Sequence, residues 1–151
     1  MQKFKVAVKQ EVEESRIADM LTTAFEGGSN HWCCITGYVK PKALRFRINK
    51  DQVFRHIDYP MNTGGVIVIV DLYAECEKGN EPEMNGYRYD FRGWKPKTKS
   101  FRLTPTALKK GLQVMADKYP SHFADLLAEN DDACTGDVFL QCCVFGDAIY
   151  G

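Results

Sequence analysis

The chain has 151 residues, of which 44% are apolar and 26% charged, and its 20 basic and 20 acidic side chains cancel. A chain of this length buries roughly 70% of its unfolded surface as one domain, so residues 1–151 are expected to form a single domain. The zero net charge argues against a general DNA-binding protein, which needs a wide basic footprint. There is no evident leader or run of about 18 apolar residues, which predicts a cytoplasmic protein without a membrane span.

Six cysteines occur, two pairs of them adjacent in sequence: Cys33, Cys34, Cys76, Cys134, Cys142 and Cys143. Neighbouring residues point in different directions on a helix or strand, whereas structural zinc sites space paired ligands by two to four residues. The cysteines are therefore expected to be reduced and mainly buried in the core, and no metal or cofactor is predicted.

The first quarter of the chain predicts one strand and one helix. Alternating apolar residues predict a strand over residues 3–12. Apolar residues at helical spacing predict a helix over 14–25, ended by Gly27 and Gly28, with Gly27 in the left-handed conformation.

The middle of the chain predicts mainly strands. The apolar stretch 32–39 follows an exposed turn, and residues 43–48 and 53–57 are candidate short strands. The run 66–70 is β-branched throughout, which favours a central strand. Residues 75–86 are polar with glycine and proline, and they predict a loop or a wide hairpin connection.

The last third predicts two strands followed by helices. Alternation favours strands over 87–91 and 99–103, and Thr104-Pro105 is a strong helix start. Three further residues mark helix boundaries, with Ser121 and Thr135 as N-caps and Gly146 as a terminator. The predicted fold is an α+β domain with an antiparallel or mixed central sheet and three to four helices packed on it.

Charge is unevenly distributed along the chain. Residues 120–151 contain six acids and no Lys or Arg, whereas residues 86–102 contain six bases and only Asp90 as an acid. Such segregation favours self-association and leaves a basic region able to meet an anionic ligand. A homo-oligomer is therefore expected, although a basic sheet face balanced by an acidic helix of the same monomer explains the pattern equally well.

The basic region is also aromatic. Arginine matches phosphate oxygens and aromatic rings stack on bases, so the segment 87–94 and the shorter 45–47 predict a nucleotide-like ligand. Strand alternation opposes this interpretation, because rings and arginines should face opposite sides. The candidate ligand-binding residues, with those of the glycine-marked turn, are Asn30, His31, Trp32, Arg45, Arg47, Arg88, Tyr89, Arg92 and Trp94.

A catalytic interpretation has weaker support. His31 could act as a base beside Glu26 and Asn30, but no recognised spacing pairs this turn with a nucleophile. Asp131 and Asp132 lack the alternating oxygens and glycine of a calcium loop.

Four segments resemble a family of small uncharacterised proteins from tailed-phage and prophage genomes: residues 17–21, 25–32, 111–116 and 135–141. The resemblance covers both ends of the chain well and the middle poorly, and it carries over no catalytic residue. It implies a phage protein in the cytoplasm of a bacterial host, where small non-enzymatic proteins often counter host defence.

Together these observations predict a counter-defence protein that acts by binding. It would sequester a nucleotide-derived immune signal as a sponge, or inhibit a host defence protein as anti-CRISPR proteins do. The alternatives are a small enzyme acting on a nucleotide or nucleic acid, and a structural phage accessory protein.

Overall fold

Five strands form two antiparallel sheets in the computed structural model, which describes residues 1–39 and 65–151. The strands are β1 (Cys33–Val39), β2 (Val66–Asp71), β3 (Glu83–Asn85), β4 (Arg88–Asp90) and β5 (Ser100–Leu103). The main sheet has the order β1-β2-β5. The β-branched strand β2 is central within it, as predicted, and Ile67 and Ile69 pair with Leu103 and Phe101.

The two remaining strands form a separate hairpin. Asn85 pairs with Arg88, which leaves Gly86 and Tyr87 as a two-residue loop. Gly86 has φ +66° at the first loop position, the arrangement that suits the right-handed twist of a hairpin. The Asn85-Gly86 dipeptide is a strong hairpin signal. The prediction of a loop or wide connection over 75–86 is therefore wrong for its last residues, which form β3 and the first position of the tight hairpin loop.

Five α-helices, within the described residues, pack around the main sheet. They are α1 (Glu14–Thr23), α2 (Leu72–Glu77), α3 (Pro105–Lys118), α4 (Pro120–Leu127) and α5 (Ala133–Phe145). A π-helical turn, Ala24–Gly28, continues α1. The chain is thus an α+β protein with an antiparallel sheet, as predicted, but with one helix more than expected: α2 was not predicted, and its last three residues overlap the loop predicted over 75–86.

Helix α5 is the centre of the helical layer. It contacts α1, the π-helical turn, α3, α4 and β5, and residues 135–142 are all buried. A helix that is enclosed on all sides needs apolar or small residues around its whole circumference. The buried apolar residues of α5 belong to the same cluster as Met20, Leu21, Ile69 and Met115, so one hydrophobic core joins the helices to one face of the sheet.

The helix ends follow capping chemistry. Thr104 Oγ1 accepts a hydrogen bond from the Ala107 amide at the start of α3, as predicted. Asp132, rather than Thr135, caps α5, and Tyr119, rather than Ser121, precedes α4, whose first residue is proline. Gly146 ends α5 with φ +71°, as predicted.

Other local predictions are wrong or fall outside the described residues. Residues 3–12 form no strand with any described residue and α1 begins at Glu14. Gly27 does not have a positive φ. The candidate strands 43–48 and 53–57, like the segment 45–47, lie outside residues 1–39 and 65–151.

All six cysteines are free of disulfides. Cys33 and Cys142 are buried, but Cys134 is exposed, which corrects the expectation of a core position for it. None of the helices in the described part of the chain has the length and apolar character needed to cross a bilayer.

Candidate functional site

The two glycine-marked segments at the ends of the chain lie against each other. A Cβ on Gly28 would stand 2.2 Å from the carbonyl oxygen of Ala133, and one on Gly136 would stand 3.0 Å from the amide of Ala24. Both glycines therefore permit the π-helical turn to approach the start of α5 closely. Their role is backbone packing, which sequence spacing did not reveal.

A buried carboxylate joins these segments. Oδ1 of Asp137 accepts hydrogen bonds from Ser29 Oγ at 2.7 Å and Trp32 Nε1 at 2.6 Å, and Oδ2 accepts one from Gln141 Nε2 at 2.9 Å. All four residues are buried. Three donors offset much of the desolvation cost of the carboxylate. This network fixes the turn that leads from the π-helical segment into β1.

The network continues to the end of the chain and back to the sheet. Gln141 Oε1 accepts hydrogen bonds from the amides of Ile149 and Tyr150 at 2.8 Å. The Tyr150 hydroxyl donates to Asp71 Oδ2 at 2.5 Å, while Asp71 Oδ1 caps α2 through the amide of Tyr73. Burial and the hydrogen bond to Asp71 raise the pKa of Tyr150, which keeps its hydroxyl protonated as a donor.

His31 lies at the edge of this network. Its Nε2 is 3.9 Å from Asp137 Oδ2 and its ring meets the edge of Tyr73 at a centroid distance of 6.4 Å. Ser29, the nearest hydroxyl in the sequence, is fully buried and donates to Asp137. That hydroxyl is thus committed to the fold and does not form a Ser-His-Asp nucleophile with His31.

An open cleft of about 730 Å³ separates the β3–β4 hairpin from the main sheet. Its base is the start of β1, at Cys33, Cys34 and Ile35, and its walls come from the π-helical turn and from the hairpin. Ligand sites of drug-sized molecules occupy about 300–1,000 Å³. The cleft is therefore large enough for a small molecule.

Aromatic side chains dominate the walls of the cleft. Phe25 contributes from the π-helical turn, and Tyr87, Tyr89 and Phe91 contribute from the hairpin, together with Met84. Tyr87 is fully exposed at the hairpin loop, and the ring centroids of Tyr89 and Phe91 lie 6.0 Å apart. Such rings offer flat apolar surfaces for stacking.

Two charged side chains and one amide in the cleft have no partner within residues 1–39 and 65–151. Arg88, Glu26 and Asn30 line it, and no described residue supplies a hydrogen bond or ion pair to any of them. Their free groups comprise a guanidinium, a carboxylate and an amide. A planar ligand with an anionic group and ring hydrogen-bonding edges can satisfy all three.

Two other polar groups in the cleft remain protonated near neutral pH. Burial and the Glu75 carboxylate raise the pKa of Cys34 to about 11, so its thiol is unactivated. The hydrogen bond from the Tyr89 hydroxyl to Glu81, 2.9 Å long, together with burial raises the pKa of Tyr89 to about 12. Neither group adds charge to the cleft.

Glu75 of α2 fixes the segment that follows the hairpin. Its buried carboxylate accepts hydrogen bonds from Asn80 Nδ2 and from both the amide and hydroxyl of Thr98 at 2.7–2.8 Å, and from the amide of Lys97 at 2.9 Å. Burial acts to raise the pKa of Glu75, but these donors lower it to about 2. The chain entering and leaving the hairpin is thereby held to the end of α2.

The predicted ligand-binding residues separate into distinct groups. Asn30, Arg88 and Tyr89 come together in the cleft. Trp32 is fully buried and bound to Asp137, and Arg92 is paired with Asp90 at 2.7 Å. Trp94 donates to the carbonyl of Asn80 and packs beside Phe91. Arg45 and Arg47 lie outside the described residues.

Strand alternation did not separate Arg88 from Tyr89. The two are neighbours on β4, yet both line the cleft. The strand has three residues and belongs to a two-stranded hairpin, and such ribbons twist strongly. Phe25 and Cys34 were missed as cleft residues, because the docking of a hairpin onto β1 has no local sequence signal. Tyr87 lies in the segment 87–94 predicted to bind a ligand, but it was not among the candidate residues.

The acidic residues considered for catalysis or metal binding have structural partners. Asp131 binds Arg16, whose guanidinium also contacts the carbonyl of Leu126. Asp132 caps α5, and the Thr135 amide lowers the pKa of its carboxyl. Within residues 1–39 and 65–151, no three His, Cys, Asp or Glu side chains converge as metal ligands.

Comparison of the chain with protein-family models, with curated proteins and with solved structures gives no match. The fold and site define an α+β protein with an aromatic cleft beside a hairpin.

Proposed function

We propose that this protein binds a nucleotide-like small molecule in the cleft between the β3–β4 hairpin and β1, and holds it without chemical change. The observation that carries the proposal is the guanidinium of Arg88, which no described residue pairs with and which lies among the rings of Phe25, Tyr87 and Tyr89. Stacked bases and charge-assisted phosphate contacts are how proteins commonly hold nucleotides.

The polar residues of the cleft fit the two ends of such a ligand. Arg88 can donate two parallel hydrogen bonds to a phosphate. Glu26 accepts hydrogen bonds and Asn30 both donates and accepts them, which suits the exocyclic and ring nitrogens of a base. Arg88 is the one cation among the described residues that line the cleft, and this favours a ligand with few phosphates, because further charges would face Glu26.

The biological role we infer is counter-defence in a bacterial host. The resemblance to tailed-phage and prophage proteins supports this context, and a phage protein that binds a nucleotide-derived immune signal would act as a sponge. A host defence protein is a second target class, but the concave cleft favours a small molecule over a flat protein surface.

Capture and release tests the proposal. The purified protein is incubated with a nucleotide extract from bacteria whose nucleotide-signalling defence is active, washed, and heat-denatured, and the released compounds are identified by mass spectrometry. We expect one nucleotide to be depleted and recovered intact in a stoichiometric amount. Arg88→Ala protein serves as the matched control and should release at least tenfold less.

Two results would contradict the proposal. Catalytic conversion of the captured nucleotide would favour the enzyme hypothesis, with His31 beside Asp137 as the first residue to substitute. Capture of a host protein without any nucleotide would favour an inhibitor of the anti-CRISPR type, or an accessory structural component of the phage.

A further inference from the structure

The segment before α1 exposes a regular apolar pattern. Phe4, Val6 and Val8 alternate with polar or small residues and are 85%, 79% and 79% exposed. No described residue forms strand hydrogen bonds with residues 3–13. Period-two alternation is typical of a strand with one buried face, and a segment with this pattern that has no strand partner among the described residues is suited to pairing with another chain.

We propose that two copies of this chain associate by pairing residues 3–13 as an antiparallel ribbon, with the two-fold axis at Val8. A second copy is the partner because the segment is complementary to itself. In this register the facing residues of the two copies are Lys3 with Glu13, Phe4 with Val12, Lys5 with Glu11, Val6 with Gln10, Ala7 with Lys9, and Val8 with Val8. A symmetric dimer requires such an isologous surface.

Charge selects this register. Lys3 faces Glu13 and Lys5 faces Glu11, and the two-fold axis repeats both pairs, which gives four opposite-charge pairs without a like-charge pair. Facing charges of opposite sign stabilise strand pairs and like charges destabilise them. If the register shifts by two residues in one direction, Lys5 of each copy faces Lys9 of the other. If it shifts by two residues in the opposite direction, the two copies of Lys9 face each other. A one-residue shift would set apolar side chains against charged ones.

An apolar cleft on each copy would receive the apolar face of the ribbon. The cleft has a volume of about 490 Å³ and is lined by Val8, Val12, Ile17, Leu108 and Phe123, among others. Val12 is half-buried against the core of its own copy. Since Phe4 of the second copy faces Val12, its ring falls on this cleft. Pairing thereby covers the exposed phenylalanine and the cleft in one step.

The charged residues of the segment allow a test that leaves the core untouched. Lys3, Lys5, Glu11 and Glu13 are all exposed. K3E/K5E and E11K/E13K variants each create four like-charge pairs in the dimer, and each should weaken dimerisation at least tenfold by analytical ultracentrifugation at low salt. An equimolar mixture of the two should form a heterodimer, because every pair is then opposite in charge. The quadruple variant K3E/K5E/E11K/E13K should form a homodimer again.

Crosslinking locates the two-fold axis. In a Cys134→Ser background, Val8→Cys places two thiols opposite each other, within reach of a disulfide. Val6→Cys is the matched control: it shares the face and the 79% exposure of Val8, but the two copies of residue 6 would be about 13 Å apart along the ribbon. Oxidation with diamide should yield a covalent dimer of V8C and little of V6C.

A wild-type protein that remains monomeric at 100 μM, roughly the scale of a weak dimer, would overturn the proposal. So would a dimer whose affinity is unchanged in K3E/K5E, or equal crosslinking of V6C and V8C. Circular dichroism of each variant checks that α1 remains intact, and none of these residues lines the proposed ligand cleft. Nucleotide binding and dimerisation can therefore fail separately.

Discussion

The indole Nε1 of Trp32 lies 2.6 Å from Oδ1 of Asp137, and both residues are buried. They come from the two ends of the chain, 105 residues apart. This hydrogen bond connects the entry of β1 to α5, and β1 forms the base of the proposed ligand cleft. The same network contains Ser29 and Gln141, so its integrity should control both stability and the position of the cleft.

Asp137→Ala should destabilise the protein by about 3 kcal/mol, because it leaves the buried Ser29 hydroxyl and Trp32 indole without their acceptor and removes one of the two acceptors of the Gln141 amide. Urea unfolding followed by tryptophan fluorescence measures the loss. Asp117→Asn is the control, since Asp117 is exposed and bonds only to Gln113 among the described residues. It should change the free energy of unfolding by less than about 0.5 kcal/mol. Equal effects of the two substitutions would contradict the structural role of Asp137.

Two adjacent glycines provide a matched test of the contact between the π-helical turn and α5. Gly28→Ala places a methyl group 2.2 Å from the Ala133 carbonyl oxygen, and should cost about 2–3 kcal/mol because backbone must move. Gly27→Ala meets nothing within 4 Å and should be neutral or stabilise by up to about 1 kcal/mol. Thermal unfolding compares them, and a Gly28→Ala protein as stable as Gly27→Ala would contradict this packing.

Glu75 should make stability depend on acid pH. The folded pKa of Glu75 is about 2, below its unfolded value of 4.5. Its contribution is therefore complete above pH 4.5 and is lost as the pH falls towards 2. The Glu75→Gln protein should be about 2 kcal/mol less stable at pH 7, because the side-chain amide of the glutamine would place an N–H donor against the buried donors that surround residue 75.

Urea unfolding of wild type and Glu75→Gln between pH 7 and pH 2 isolates this effect. The difference in free energy of unfolding should be constant above pH 5 and shrink as the pH approaches 2. Asp132 and Asp147 also have lowered pKa values, but their contributions cancel in the difference. A difference that is independent of pH would contradict the assignment.

Tyr150→Phe tests the link between the end of the chain and the sheet. It removes the hydrogen bond to Asp71 Oδ2 and leaves the ring contacts with Trp32 and Tyr73 in place. The expected loss is about 1–2 kcal/mol, since a partly buried hydrogen bond to a carboxylate disappears. The exposed Tyr87 provides the control. Tyr87→Phe should leave the free energy of unfolding, measured by chemical denaturation, unchanged.

The sequence predicts elements whose signals are local. The β-branched run of β2, the Thr104-Pro105 start of α3 and the Gly146 end of α5 each depend on propensity or capping within a few residues. The alternation of residues 3–12 is also a genuine strand pattern, but no described residue pairs with it. Strand formation needs a partner, and the alternation of apolar residues alone does not say which segment supplies it.

The cleft was only partly predictable for the same reason. Arg88 and Tyr89 stand out by composition, and Asn30 by its place in a polar turn. Trp32 shares that turn but lies in the core, because Asp137 supplies a buried acceptor more than a hundred residues away. Arg92 is as basic as Arg88, yet Asp90, two residues before it, neutralises its charge.

Arg88 and Arg92 together provide the most direct measurement of the central claim. Isothermal titration calorimetry of adenine and guanine mononucleotides and cyclic dinucleotides compares wild type, Arg88→Ala and Arg92→Ala. We predict that at least one nucleotide binds with one site per cleft. Arg88→Ala should weaken the affinity for that nucleotide by about 10- to 100-fold, as expected for a charged hydrogen bond. Arg92→Ala should change the affinity less than threefold. Failure of every nucleotide to bind, or equal losses in the two variants, would contradict the account.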